Sequence, residues 1–391
     1  MGRTVVILGA SYASLPVAHY LLKYTSTKIE GLKVIIVAPN THLFWAVASI
    51  RAIVPDLFDD GKVSLPLAPA FTQYPSDKYE LVHGKATNVN PSANTVDILL
   101  NDENSSRTIQ YDDLIIATGS SIKHSMPFKT LSTTPETLAS LHDWSSRIKS
   151  AQSIIIAGAG MTGVELAGEL GQEYSLKNLK EITLICDDTL PFSSRFNDAF
   201  RKTAKRELER LGVKVMTQTK LVSLPTQNTK TVSLMPTTTK GEKTYTVQAD
   251  LVIPTFGIVP NTEFLPKSWL DTNGFIKQSP KGLKVEGTKN VYVLGDAGNL
   301  EAPTAKNADT QAVWFAKAFE KRLLGGEEEE EYKPDPMVVA AVSIGRNKGA
   351  GQAGGWKIWG WIIWYMKARY LGTDYAEAYV RGERTVLVKK W

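Results

Sequence analysis

Glycines 158, 160 and 163 follow the apolar run Ile154-Ile155-Ile156-Ala157 at spacings of two and three. A β-branched run, a tight turn and a helix start bring backbone N–H groups to a helix N-terminus, where they can bind a pyrophosphate. The first glycine permits the turn, the second lets a phosphate approach, and the third lets helix pack on strand. A bare tight turn is the plain alternative, but the strand before and the helix after favour a nucleotide. A degenerate copy opens the chain, where Val5-Val6-Ile7-Leu8 runs into Gly9-Ala10-Ser11-Tyr12-Ala13-Ser14. Ser11 and Ser14 take the second and third glycine positions, and a serine hydroxyl can itself donate to phosphate. The acidic residue that usually ends the second strand of such a unit is also missing, since Ala38, Pro39 and Asn40 stand there. Asparagine would bond a ribose hydroxyl less strongly. Two such loops about 150 residues apart suggest two nucleotides bound face to face, and the usual pair is FAD with NADH or NADPH.

With that pair the chemistry would be electron transfer, and several residues bear on it. Glu165 lies in the first turn after Gly163, where a helix dipole favours its anion. It reads equally as a proton acceptor beside a flavin or as a carboxylate that only balances the dipole. Asp296, after Gly295, ends a buried apolar run; it can accept from a ribityl hydroxyl, cap a helix, or do both. Ala117-Thr118-Gly119 and Thr255-Phe256-Gly257 end two further apolar runs with echoing turns. Cys186 stands where a carboxylate would select a ribose 2′-hydroxyl; Asp187 comes next, and Arg195 could serve a 2′-phosphate. NADH is therefore favoured and NADPH tolerated. One cysteine excludes an internal disulfide and a Cys-x-x-Cys pair. Histidines 19, 42, 83, 124 and 142 lack metal-ligand spacing, so no metal is expected. The stretch Trp356-Lys-Ile-Trp-Gly-Trp-Ile-Ile-Trp-Tyr-Met-Lys367 would be apolar on nearly all faces as a helix. It reads as a buried core helix, as a surface that meets lipid, or as the wall of a quinone tunnel. Lys357, Lys367 and Arg369 can snorkel at its flanks.

The elements that must position these residues follow from the apolar periodicity. A length of 391 residues allows two to three domains, and 43% hydrophobic with 22% charged residues is ordinary for a globular chain. A net charge of +5 is too mild to argue for nucleic acid and permits weak attraction to an anionic membrane. Residues 4–8 and 33–38 read as buried parallel strands, with a helix over 12–24 that tolerates Pro16 only near its start. Residues 80–100 read as a hairpin, with turn signals at Asn90-Pro91-Ser92 and at 101–104. Strands are expected at 182–185 and 290–294, and helices at 197–211, stopped by Gly212, and at 304–324. Gly325-Gly326 and the acidic run 327–331 read as a solvated joint.

The expected fold is α/β, with two Rossmann-like, glutathione-reductase-like dinucleotide-binding domains and a small C-terminal α+β domain. Residues 1–119 and 251–326 would bind FAD, 120–250 would bind NAD(P)H, and 327–391 would form the third unit. The first strand begins too early to leave room for a signal or transit segment. Val6 stands where N-myristoylation prefers Ser or Thr, and the aromatic run is too short to span a bilayer.

Together these residues resemble the two-dinucleotide flavoproteins, in particular the apoptosis-inducing-factor-like, ferroptosis-suppressor-type oxidoreductases and their cousins, the type II NADH dehydrogenases. Gly158-Ala-Gly-Met-Thr-Gly-Val-Glu165-Leu-Ala-Gly is similar to the pyridine-nucleotide loop of the dehydrogenases, and Gly257-Ile-Val-Pro-Asn261-Thr262 and Val293-Leu-Gly-Asp296 fit the wider family. Phe44-Trp-Ala-Val-Ala-Ser-Ile-Arg51 and Ser343-Ile-Gly-Arg-Asn-Lys-Gly-Ala-Gly-Gln352 are similar to segments of the ferroptosis-suppressor type. Lys367 falls where that type has a lysine near the flavin. The resemblance implies FAD at Gly9, Ala10, Ser11, Tyr12, Ala13, Arg51, Ala86, Thr118, Gly119 and Asp296. It implies NAD(P)H at Gly158, Gly160, Gly163, Asp187 and Gly257, with Glu165 and Lys367 as catalytic groups. Lys306 and Thr310 stand where the dehydrogenases often have glutamines. The expectation is an FAD enzyme that oxidises NAD(P)H and reduces a quinone or another small hydrophobic acceptor. It would be cytoplasmic, with room for peripheral membrane contact through 356–370, and a monomer or a homodimer. One rival is a soluble flavoenzyme of specialised metabolism acting on a small aromatic or on oxygen. The other is a nucleotide-gated interaction protein, which the modest charge disfavours.

Overall fold

The computed structural model describes residues 2–102, 105–225, 230–237, 243–326 and 330–391. Its largest sheet grows from the first apolar run. Arg3–Leu8 lies between two parallel neighbours, Leu32–Ala38 and Asp113–Ile116, and Val5 to Leu8 are buried. A strand covered on both faces needs apolar side chains throughout, not alternation. Val291–Val293 extends one side of this sheet and Tyr79–Asn90 the other; antiparallel Thr95–Leu100 and Ser106–Gln110 complete the seven strands. The hairpin turns where Asn90-Pro91-Ser92 predicts, with Asn90 Oδ1 accepting from the amides of Ser92 and Ala93. The second turn signal falls partly at 103–104, outside the described residues.

A second parallel sheet repeats the plan. Ser153–Ala157 sits between Glu181–Ile185 and Leu251–Pro254, with Lys214–Met216 at the edge. The expected boundary after residue 250 therefore needs correction, because the apolar strand Leu251–Pro254 completes this sheet. The chain crosses between the sheets twice, and the two crossings pair as an antiparallel ladder, Ser120–Ile122 with Ile258–Pro260. A meander of Thr219–Leu221, Thr231–Pro236 and Tyr245–Gln248 packs Val232 and Leu234 against Ile155 and Ile185.

Helices fall close to their predicted places. Leu15–Tyr20 runs on into a π-helical turn, Leu21–Thr25, with Pro16 in its first positions. Asp198–Arg210 is capped by Asn197, and Ala305–Leu323 by Thr304. Thr134–Ser150 was not expected; it starts at a reciprocal cap between Thr133 and Glu136. Of the predicted acidic joint, 327–329 lie outside the described residues, whereas Glu330 and Glu331 are fastened to residues 281–282.

The C-terminal part opens with an antiparallel sheet, Val339–Ile344, Lys348–Ala353 and Trp356–Ile358. A short helix, Gly360–Ile363, a π-helical turn, Trp364–Ala368, and the helix Ala376–Val380 follow. The buried-helix reading of the tryptophan stretch fails. Trp356, Trp359 and Trp361 are 84%, 68% and 64% exposed, and Ile363 is the buried member of 356–367. A strand, one helical turn and a π turn point side chains in too many directions for all to be covered. Ile363 wins the place over Gly349 and Gly351, where an added Cβ would lie within 2.5 Å of it. Past this face the chain returns to the first glycine loop. Tyr379 Oη donates to Tyr12 O at 2.9 Å, and Trp391 Nε1 donates to Pro16 O at 2.9 Å. Asp309 secures the tail by accepting from Thr385 Oγ1 and the amides of Val386 and Leu387.

Candidate functional site

A cavity of about 610 Å³ opens where the first parallel strands end, and Gly9, Ala10, Ser11, Asn40, Ala86 and Thr118 line it. In an open α/β sheet this is where a nucleotide binds. Gly9 has φ +114, and a Cβ there would lie 2.3 Å from Ala117 O, so the position demands glycine. Ser14 does not line the cavity. Its buried Oγ accepts from Ser11 N at 2.7 Å and donates to Ser11 O at 3.2 Å, so this hydroxyl braces the turn. Asn40 Oδ1 is buried without a partner among the described residues, which suits the acceptor of a ribose hydroxyl. Ala13 abuts Gly295, and the following Asp296 accepts from Ser120 Oγ at 3.1 Å and pairs with Lys129. Both bonds fall on Oδ2. Thr118 Oγ1 donates to Asn261 O at 2.8 Å, while Asn261 Nδ2 donates to Thr118 O at 2.9 Å, which fixes the Thr118-Gly119 turn. The orphaned Asn40 oxygen and the glycine cradle fit a flavin nucleotide in this cleft.

The second loop displays the three glycine roles separately. Gly158 has φ +105, nothing lies within 4 Å of a Cβ built on Gly160, and a Cβ on Gly163 would lie 1.9 Å from Gly158 O. Turn, open approach and close packing are thus divided among the three, and Gly160 leaves the room a pyridine nucleotide's pyrophosphate needs. Thr255 Oγ1 bonds the carbonyls of Ala157 and Gly158 from the neighbouring strand. Gly257 has φ +86 and packs on the Lys123 side chain. Asp187 is exposed past the end of Glu181–Ile185, and Arg195 is exposed with its guanidinium over the Phe196 ring. Cys186 is buried; its Sγ donates to Asp188 O and Leu190 O, and burial pushes the thiol up to about 11.

The structure joins the two residues expected to be catalytic. Lys367 Nζ lies 2.7 Å from Glu165 Oε1, and the same oxygen accepts from Ser343 N at 2.9 Å and Ser343 Oγ at 3.2 Å. The helix Met161–Glu173 can lie this close to the C-terminal sheet because of Gly168, where a Cβ would meet Gly345 N at 2.5 Å. Of the residues expected at the flavin, Arg51 does not line the cavity, nor do Tyr12, Ala13, Gly119 and Asp296. The Arg51 guanidinium is 3% exposed and bonds Glu169 at 2.6 and 3.0 Å, Ala368 O at 2.8 Å and Arg369 O at 3.1 Å. Burial pushes the Glu169 carboxyl above its usual range, against the pull of Arg51.

Three residues here were missed from sequence. Glu169 is four positions after Glu165 on one helix face, so the periodicity held a usable signal. Ser343 lay inside a quoted segment but was given no role. Lys129 carries no local signal, because only the tertiary fold brings it to Asp296.

A family model described as pyridine nucleotide-disulphide oxidoreductase matches residues 3–312. The chain is 35% identical over 365 residues to oxidoreductase ptaL of Pestalotiopsis fici, covering 92% of this chain and 94% of that protein. It is 26% identical over 347 residues to ferroptosis suppressor protein 1 of Taeniopygia guttata, covering 84% and 88%. The solved structure of NDH2 from Plasmodium falciparum in complex with NADH has the same fold, with a TM-score of 0.76 at 12% identity over 96% of this chain and 97% of that one. The predicted resemblance to the ferroptosis-suppressor type is therefore borne out. With its two glycine loops on two parallel sheets, this chain belongs to the pyridine nucleotide-disulphide oxidoreductase family, whose flavoproteins use FAD and NAD(P)H.

Proposed function

We propose that the chain oxidises NAD(P)H and reduces a quinone-type acceptor, with FAD held by Gly9–Ala13, Ala86, Thr118 and Asp296 and the pyridine nucleotide by Gly158, Gly160 and Gly163. The reaction balances as NAD(P)H, one proton and a quinone giving NAD(P)⁺ and a quinol. FAD, when bound, supplies the two-electron chemistry between the two substrates. The protein supplies orientation and the proton. Glu165 and Lys367, 2.7 Å apart, are the acid–base pair that would hold and pass on that proton. A thiol relay is disfavoured, because the single cysteine is buried and its thiol raised.

The observation that carries the acceptor class is the position of Lys367. Its ammonium reaches buried Glu165, while its neighbours Tyr365 and Met366 are 68% and 71% exposed beside Trp359 and Trp361. One short segment thus joins the proton-holding pair to an apolar surface suited to a greasy acceptor. Among the described residues no helix is long and apolar enough to cross a membrane. The tryptophan face is instead suited to peripheral contact at a lipid interface, where Trp and Tyr settle with their polar edges wet.

Anaerobic NADH should bleach the flavin, and a quinone should restore it. Trp359→Ser with Trp361→Ser should slow reduction of a long-tailed quinone more than that of a water-soluble one, and weaken binding to liposomes, with the melting temperature kept because both side chains are exposed. Bleached protein that oxygen reoxidises but no quinone does would replace this reading with the oxygen-using alternative.

A further inference from the structure

Arg51 and Glu169 form a second buried ion pair one helical turn from Glu165, and it ends on the backbone that carries Lys367. The π-helical turn Trp364–Ala368 closes with Arg369 N donating to Trp364 O at 3.0 Å. Carbonyls at the end of such a turn have no donor within it. Arg51 supplies the donors, Nη2 to Ala368 O at 2.8 Å and Nη1 to Arg369 O at 3.1 Å. Glu169 holds the guanidinium from the other side, through Nε and Nη2. Lys367 is therefore fixed at both ends. Its backbone adjoins carbonyls held by Arg51, and its ammonium rests on Glu165 and on Ala341 O at 2.9 Å. Glu165 and Glu169 leave the same helix on the same face, so one rigid helix sets both anchor points.

We propose that Arg51 and Glu169 are positioning residues that set the distance between Lys367 and Glu165. The assignment rests on the proton-holding role given above to Glu165 and Lys367. A planar guanidinium suits the task because its fixed fork bonds a carboxylate and two carbonyls at once, which a lysine ammonium cannot do with the same geometry. Misplacing a reacting group by about 1 Å can cost as much as a hundredfold in rate.

The test uses FAD-loaded protein and three variants. Removing one partner of a buried pair tends to unfold a protein, whereas replacing both by apolar residues is often tolerated. The informative variant is therefore Arg51→Met with Glu169→Leu. It should keep its bound FAD and its KM for NADH, lose about tenfold in quinone-reduction kcat, and exchange the amide hydrogens of residues 367–371 faster. Arg51→Lys retains the charge beside Glu169 and should still show the lowered kcat. Glu165→Gln is the control for the proton-holding role; it should slow turnover without hastening exchange at 367–371. Wild-type kcat in a folded double variant, or in Arg51→Lys, overturns the positioning role, and so does loss of FAD in step with activity. Wild-type turnover in Glu165→Gln overturns the proton role instead, and exchange at 367–371 in the double variant then decides whether the clamp exists.

Discussion

The two glycine loops have the same backbone frame and different ways of holding it. In the first, Gly9 N donates to Val37 O and Ala117 N donates to Leu8 O, both at 2.8 Å. In the second, Gly158 N donates to Ile185 O at 3.2 Å and Thr255 N donates to Ala157 O at 2.9 Å. Each loop thus leaves a strand flanked by two parallel neighbours. The difference lies at the third position of the fingerprint. The second loop has its helix pressed onto the turn, and Gly163 is the contact. The first has room for a buried Ser14, whose hydroxyl ties the turn to itself, and the C-terminal tail braces it from outside through Tyr379 and Trp391. A glycine fingerprint therefore reports how closely helix and strand approach. A serine-bearing loop can keep the same frame if other parts of the chain support it.

The sharpest way to break this comparison is to exchange the third residues. Gly163→Ala places a methyl group against the Gly158 carbonyl, a backbone atom that cannot step aside. Overpacking of this kind costs roughly 3 kcal/mol or more, so a large fall in melting temperature or loss of soluble protein is expected. Ser14→Gly in the first loop removes both bonds of the hydroxyl to Ser11 and should cost about 2 kcal/mol, less than the Gly163 variant. Gly160→Val, by contrast, enters open space. It should leave melting and bound FAD unchanged while raising the KM for NADH at least tenfold, about 1.4 kcal/mol. Equal melting of the Gly163 and Ser14 variants would show that the two turns are held alike.

The brace of the first loop should also be sensitive to acid. His19 is buried, with Tyr74 Oη 2.9 Å from Nδ1 and Val380 O 2.9 Å from Nε2. Burial pushes its pKa down to about 4 from 6.5. The unfolded chain then binds the extra proton first, so the neutral ring contributes stability above pH 6.5 that drains away as pH falls toward 4. The whole shift corresponds to at most about 3 kcal/mol. Melting measured from pH 7 to pH 4.5 should fall more steeply in the wild type than in His19→Gln, and hydrogen exchange should loosen residues 15–25 before residues 161–173. Parallel pH curves for the two proteins would remove His19 from the account.

What the sequence made legible follows from the range of the forces involved. Both parallel strands before the glycine loops, the helix over Ala305–Leu323 and the hairpin turn after Asn90 are local patterns of burial and turn chemistry, and they stand where the periodicity places them. The pairing of Glu165 with Lys367 spans 202 positions (367 less 165) and was approached only through a family resemblance. Lys129 on Asp296 was missed because an ion pair across the fold leaves no periodic trace; Glu169 shares a helix face with Glu165, but nothing in that period points to Arg51 as its partner. Of the readings open for the tryptophan stretch, the buried helix fails for a different reason. An apolar composition predicts burial only if the segment forms one continuous element, and here a strand, a helical turn and a π turn share twelve residues.

The smallest expected effect concerns the ribose end of the first cleft, where Asn40 stands in place of an acidic residue. Its Oδ1 is buried without a partner among the described residues, and its Nδ2 makes one long bond of 3.4 Å to Ser132 O. Asn40→Asp would offer a charged acceptor, and hydrogen bonds to charged groups are roughly twice as strong as neutral ones. Against that gain, the long bond to Ser132 is lost, and Glu136 lines the same cavity and repels a second carboxylate. The opposing effects leave a modest balance, so FAD should bind about threefold more tightly, close to 0.7 kcal/mol. Fluorescence titration of flavin-free protein measures it. The gain should also grow as salt is raised, since screening weakens the repulsion from Glu136 more than the short bond to a hydroxyl. An unchanged or weaker Kd would mean that Asn40 does not receive the ribose, and the first loop would then differ from the second only in how its turn is held.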